Sequence, residues 1–301
     1  MDLSNHISKN EEELESLRKK TDFLMTLEQY EGEDKVMKFS DVVDELKEKL
    51  KNAPNQKVFS KIPKLDEMTD GFRPGQLVVL SAPTGNGKTA FLQSLTRTFS
   101  EDGIPCLWFS YEVPTLELAE RYGDQIPVFE IPRKNINSSL EWLKTRSLEG
   151  IAKFGTRVIF IDHLHYLLDM KTLAGVNTSI VIAGVNTSIV IGGLMRELKK
   201  FAIETETTIF LVSHLAKTKI DEIPSVADLR DSSFVAQESD IVMIMWRHKE
   251  KDKSSPTGYI FTDESRLIVD KNRWNGKLGG IKLLFDKGRF TEISDEILPE
   301  L

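Results

Sequence analysis

The stretch SAPTGNGKTAF sets a lysine and a hydroxyl side by side just behind two glycines. Ala82 to Thr89 fit the spacing G-x-x-x-x-G-K-[ST], with Ala82 in the place of the first glycine. Each position has a chemical use. Gly85 and Gly87 free the backbone to turn its N–H groups inward around phosphate oxygens. Lys88 supplies a positive charge to the β- and γ-phosphates, and the Thr89 hydroxyl can ligate Mg²⁺. A helix starting near Lys88 aims its positive end at the same anion. Ala82, Pro83, Thr84, Gly85, Asn86, Gly87, Lys88, Thr89 and Ala90 therefore form the expected cradle for ATP or another NTP with Mg²⁺. The bland alternative is a glycine-rich turn with an incidental lysine.

Two carboxylates stand where such a ligand needs them. In VIFIDHLHYL, four apolar residues lead to Asp162. An acid at the C-terminal end of a parallel strand faces the ligand crevice, where it can hold Mg²⁺. Alternatively it caps a turn. Glu112 ends PCLWFSYE, and a carboxylate there can polarise an attacking water. Its alternative is a solvated surface glutamate.

The elements that must position these residues are legible as apolar runs. They are QLVVLSA (76–82), PCLWFSY (105–111), RVIFIDH (157–163), TTIFLVSH (207–214), DIVMIMWR (240–247), RLIVDKNR (266–273) and GIKLLFD (280–286). Helical patterns such as TAFLQSLTRTFSE and LMRELKKFAIET separate the earlier ones. Near-continuous apolar strands alternating with helices predict an α/β fold with a mostly parallel central sheet flanked by helices. The last strands, joined by short turns, predict an antiparallel hairpin at the C-terminal edge.

Upstream, residues 1–38 are polar and acidic and read as a solvated helix or a disordered tail. In FSDVVDELKEKLKN, residues Phe39, Val42, Val43, Leu46 and Leu50 share one helical face, with Ser40 or Asp41 as cap. That stripe needs a partner surface. The expected division is a polar tail and linker helix at 1–57 and one large domain at 58–301.

Composition bounds the class. The chain has 301 residues, 40% hydrophobic and 29% charged, the balance of a globular protein that buries a sizeable core. One cysteine, Cys106, excludes a disulfide framework within the chain and cysteine-rich metal sites, and implies a reducing, cytoplasmic setting. The N-terminus lacks the apolar region of a secretory signal. A net charge of −7 argues against a protein coated in nucleic acid, while leaving room for a local basic lining.

Taken in order, SAPTGNGKTAF, SYE, IFIDHL, LVSHLAK, DLRDSSFVAQESDIVMIMWR and VDKNRWNGKLGGIKLLFD resemble the RecA-like ATPase domain of DnaB-type ring helicases. The likeness runs from Phe59 to Ile293 and is strongest to the helicase half of phage-type primase–helicases and Twinkle. It implies a RecA-like P-loop NTPase core that hydrolyses ATP at the subunit interfaces of a hexameric ring, moving on single-stranded DNA. Primase or other replisome proteins are the further partners it implies, and no membrane. Lys88 and Thr89 would bind phosphates and Mg²⁺, Asp162 the Mg²⁺, and Glu112 would be the catalytic base. His214 would sense the γ-phosphate; read alone, it is a strand-end histidine. Arg230 would contact the DNA backbone with Asp231 and Ser233 beside it; read alone, Arg230 pairs with Asp228 or Asp231. Lys271 and Arg273 would be the lysine and arginine finger reaching the neighbouring subunit's nucleotide. Read alone, they are a solvated hairpin charge cluster, although i and i+2 on a strand share a face. Phe234 departs from the family, which often has Gly soon after the serine of that loop. The segment between Glu112 and Arg157 is short, and no primase domain, zinc site or collar is recognisable. Two other readings share the phosphate loop: a RecA- or RadA-like repair ATPase, and a KaiC-like regulatory ATPase without DNA.

One feature fits none of these. AGVNTSIVI at 174–182 repeats unchanged at 183–191. Lying between Asp162 and His214, on two strands of one sheet, it is no membrane span, and two copies are too few for a solenoid. Nine residues turn a helix by about 900°, half a turn out of phase. Only one copy can therefore keep register with the stripe Ile191, Leu194, Met195, Leu198, Phe201 and Ala202; the other is expected to bulge into the preceding loop.

Overall fold

The computed structural model describes the chain apart from residues 1–2, 33–34, 53–56, 135–138, 169–186, 216–223, 226–231, 253, 256–258 and 294–301, and gives backbone alone at 3–14, 49–52, 187–188 and 232–233. The chain forms two compact units, Met1–Asn55 and Gln56–Leu301.

The first unit holds two helices, α1 (Leu3–Glu28) and α2 (Phe39–Asn52). The polar N-terminal segment is thus helical. Helix α2 begins ahead of both expected caps. Its first turn closes on the Lys38 carbonyl, which accepts from Asp41 N (3.0 Å) and Val42 N (3.2 Å). The Ser40 hydroxyl donates instead to the Asp41 carboxylate. Phe39 is 80% exposed and Leu46 48% exposed, so the apolar stripe lacks a cover over these residues.

The second unit is built on one eight-stranded sheet. Its strands are β1 (Leu77–Ala82), β2 (Cys106–Ser110), β3 (Val158–Asp162), β4 (Thr208–His214), β5 (Ile241–Lys251), β6 (Tyr259–Asn272), β7 (Gly279–Asp286) and β8 (Arg289–Glu292). The order is β2-β3-β4-β1-β5-β6-β7-β8. The first five strands run parallel and the last three pairings are antiparallel. The expected edge hairpin is therefore a longer antiparallel arm. Strand β8 was not expected: RFTE holds one large apolar residue. Its turn is legible in hindsight, because Lys287 and Gly288 both adopt positive φ between Asp286 and Arg289, as two-residue hairpin loops require.

Alternation along the buried strands feeds two cores. Val78, Leu80, Phe160 and Phe210 face helix α4 (Lys88–Glu101) through Phe91, Leu92, Leu95 and Phe99. Leu77, Val79, Ile161 and Leu211 face the other side, covered by α6 (Leu140–Phe154) through Leu143 and by α7 (Thr187–Glu204). Two short helices, α3 (Pro63–Thr69) and α5 (Thr115–Tyr122), complete the first layer, and α8 (Ser232–Glu238) joins the second.

Helix α7 settles the register of the second nonapeptide copy. Ile191, Leu194, Met195, Leu198, Phe201 and Ala202 are all buried in it. The first copy lies outside the described residues. Beyond Ile191, Gly192 receives the ring of Phe234 from α8. A Cβ on Gly192 would stand 2.8 Å from Phe234 Cδ1, while one on Gly193 would meet nothing within 4 Å. Gly193→Ala is therefore expected to stabilise the chain by roughly 0.5–1 kcal/mol through helix propensity. Gly192→Ala should fall below it by about 1–3 kcal/mol of overpacking. Urea denaturation of the two variants checks the difference, and equal midpoints would disprove the contact.

Candidate active site

Strand β1 is buried along its whole length and delivers Ala82 to the loop that starts α4. Gly85 (φ 78°) and Gly87 (φ 89°) take the left-handed backbone that the cradle needs. Asn86 ties the loop down: its Oδ1 accepts from Arg247 N (2.8 Å) and its Nδ2 donates to Thr84 O (3.2 Å). Lys88 is 7% exposed, and its ammonium donates to the carbonyls of Ala82 (3.0 Å) and Pro83 (3.3 Å). Burial pushes its pKa below the usual lysine value, against the opposing pull of Glu112 and Asp162.

Asp162 ends β3 and is fully buried. Its Oδ2 accepts from Thr89 Oγ1 at 2.7 Å, while Oδ1 has no hydrogen-bond partner among the described residues. Burial raises its pKa, the Thr89 bond opposing. A buried carboxylate with an orphaned oxygen, beside a hydroxyl, fits a hard divalent cation such as Mg²⁺.

Strand β2 lies beside β3, with Ser110 opposite Asp162, so Glu112 arrives just past the same strand end. Its Oε2 lies 3.1 Å from His163 Nδ1. His214 ends β4, opposite Ala82 of β1. The rings of His163 and His214 stand 4.3 Å apart and nearly perpendicular. Burial first, then the charge of Lys88, holds the His214 imidazole down to about 4 from its ordinary 6.5, so it is neutral at pH 7. The strand ends thus bring Lys88, Thr89, Asp162, Glu112 and His214 together. His163 and His165 were missed in the sequence, although IDHLH displays them beside Asp162. The largest cavity among the described residues, about 680 Å³, lies elsewhere, lined by Leu107, Trp142 and Arg146 among others, and shares no residue with the phosphate loop.

The His214 shift has a stability consequence. Its folded pKa lies below the unfolded value, so the unfolded chain binds the proton more readily. The resulting stability is fully present above pH 6.5 and lost as pH falls toward about 4. Asp162, raised, works in the opposite sense. The difference between wild type and His214→Gln isolates the histidine: wild type should lose more stability across that window, read from urea midpoints. Parallel curves would rule it out.

Lys271 and Arg273 lie elsewhere. Asn272 pairs with Ile241, which pairs with Val78, four residues back along β1 from Ala82. That is about 13 Å along the strand, toward the end opposite the phosphate loop. Both side chains reach one place, as their spacing requires. Lys271 Nζ donates to the carbonyls of Ala236, Gln237 (3.2 Å) and Ser239 (2.7 Å), and Arg273 also donates to Gln237 O. Burial lowers the Lys271 pKa to about 8. Ser233 falls in α8, while Arg230 and Asp231 lie outside the described residues.

A phosphate loop between a buried parallel strand and a helix, facing a strand-end aspartate, defines a P-loop NTPase core of RecA-like architecture. The family described as DnaB-like helicase C terminal domain matches residues 58–139 and 133–295, and the chain belongs to it. It is 26% identical over 266 residues to the replicative DNA helicase DnaB of Mycoplasma genitalium, covering 77% of this chain and 55% of that protein. It is 27% identical over 288 residues to a probable replicative DNA helicase of Trieres chinensis, covering 87% and 62%. The chain thus spans little more than half the length of these relatives. Among solved structures, a DnaB-like helicase ATPase domain superposes with a TM-score of 0.68 at 21% identity, covering 86% of this chain and 100% of that one. A DnaB-like replicative helicase, solved in a study of its interactions with primase, gives 0.68 at 21%, covering 85% and 69%. Among the described residues no helix is long and apolar enough to cross a membrane.

Proposed function

We propose that this chain is the motor domain of a ring-shaped, ATP-driven translocase on single-stranded DNA, of the replicative helicase type. The observation that carries the reading is the convergence of Lys88, Thr89, Asp162, Glu112 and His214 at the ends of β1 to β4. Residues 58–301 are the motor and 1–57 the tail and linker. The loop from Ala82 to Ala90 cradles the phosphates of ATP or another NTP. Thr89 and Asp162 hold Mg²⁺, which neutralises charge developing on the phosphates. Glu112 orients and deprotonates the attacking water, with His163 fixing its carboxylate. Neutral His214 donates one hydrogen bond to the γ-phosphate.

Lys271 and Arg273 act on the nucleotide of the next subunit, and their place at the far end of the strands supports this. The site is then complete only in an oligomer, a hexameric ring, with the exposed face of α2 docked on a neighbour. Arg230, Asp231 and Ser233 follow the DNA backbone without reading bases. Primase is a further proposed partner, and the cytoplasm the proposed setting. The test is NTP hydrolysis with and without single-stranded DNA, joined to negative-stain imaging with an ATP analogue and an oligonucleotide. Stimulation and closed rings are expected. Open filaments would favour a strand-exchange ATPase, and an oligomer unstimulated by any polynucleotide would overturn the reading.

A further inference from the structure

Glu112, His163 and His214 each offer a ligand atom, and these atoms all lie within 4.8 Å of one another. The ring of His165 borders the group, 5.6 Å from that of His163 and 5.7 Å from that of His214. Phosphate chemistry needs one carboxylate and one neutral donor here, not three imidazoles. We propose that Glu112, His163 and His214 form a binding site for a borderline-soft divalent cation of the zinc class, distinct from the Mg²⁺ position at Thr89 and Asp162.

The ligand chemistry selects the ion. Imidazole nitrogen suits Zn²⁺, Ni²⁺ or Cu²⁺, whereas Mg²⁺ demands oxygens in a near-ideal octahedron. Two histidines and one carboxylate leave the fourth tetrahedral position open. Tetrahedral donors about 2.0–2.1 Å from zinc stand roughly 3.4 Å apart, so the three side chains must close by about an ångström. Glu112 is half-exposed and can supply most of that movement, while His163 is held from β3 and His214 from β4. An ion seated there would take the Glu112 carboxylate from the water and the His214 nitrogen from the phosphate. The site would therefore act as an inhibitory clamp on hydrolysis. Binding is independent of the proposed function; only this inhibition rests on it.

The experiment uses the full chain, stripped with a chelator and free of nucleotide. Zn²⁺ affinity is measured by competition with a chromophoric chelator in excess Mg²⁺, and Co²⁺ replaces Zn²⁺ for the visible spectrum of a tetrahedral nitrogen–oxygen site. One ion per chain is expected. His163→Gln and His214→Gln should each weaken it at least about tenfold, and His248→Gln should leave it unchanged. Glu112→Gln, at a half-exposed side chain, is the alternative if a histidine variant does not fold. No binding in wild type, or equal binding in all variants, overturns the proposal. In a second arm, Zn²⁺ should suppress hydrolysis in excess Mg²⁺–ATP and a chelator restore it. A chain that binds zinc but hydrolyses nothing would fault the proposed function alone, and full hydrolysis with zinc bound would overturn the clamp.

Discussion

Lys88→Ala is expected to lower NTP hydrolysis at least about 100-fold, the usual cost of removing one charge-stabilising donor from a reacting centre. The ammonium is almost wholly buried, and it donates to two carbonyl oxygens of its own loop. Those are neutral acceptors, so burial lowers its pKa. A triphosphate would supply the missing opposite charge, and the group is poised for that rather than for stabilising the free chain. Stability should therefore change little in the variant, because a desolvated charge disappears with two hydrogen bonds. Steady-state hydrolysis and a thermal melt, taken together, check both halves. Unchanged turnover would remove Lys88 from the site. A collapsed melting transition would make the lysine a structural residue instead.

Arg273→Ala should cost about 10³-fold or more in hydrolysis, the range associated with an arginine that stabilises a transferring phosphoryl group. The decisive measurement is a mixture. Lys88→Ala chains keep Arg273, and Arg273→Ala chains keep Lys88. If the arginine works across an interface, co-assembled rings contain some interfaces that join an intact lysine to an intact arginine. Activity should then reappear on mixing two inactive proteins. The geometry makes the alternative testable, since Arg273 begins at the strand end remote from its own phosphate loop. Activity retained by the single variant would return it to the role visible in one chain, a bond to Gln237 and a place beside Asp240 at 3.8 Å.

The parts legible in the sequence were those set by short-range rules. An apolar run entering a glycine-rich loop specifies β1, the cradle and α4, because strand burial, positive φ and helix start follow from neighbouring residues. The same-face placement of Lys271 and Arg273 follows from strand periodicity alone. Other features depend on contacts that no spacing encodes. Phe234 reads as a departure in a loop, and only Gly192, 42 positions earlier, explains where its ring goes. His163 and His165 sit in plain view beside Asp162, but their meeting with His214 depends on β3 and β4 being neighbours. Strand β8 is too short and too polar to announce itself except through its turn. Ser40 and Asp41 satisfied a capping preference, but the helix begins before them.

Lys271 has three N–H donors, and three carbonyls around the end of α8 accept from it. An ammonium so saturated cannot turn toward a phosphate next door without releasing that helix end. In the proposed ring this makes two events competitors for one cation: the firmness of a subunit's own α8, which follows the proposed DNA residues, and that subunit's hold on its neighbour's nucleotide. Reciprocity then fixes the sign. Whatever free energy a nucleotide gains by drawing Lys271 away is lost by the helix, and a ligand that firms the helix must loosen the neighbouring nucleotide by the same amount. Negative cooperativity between strand and nucleotide would thus be written into a single side chain, and successive subunits could not all grip both at once.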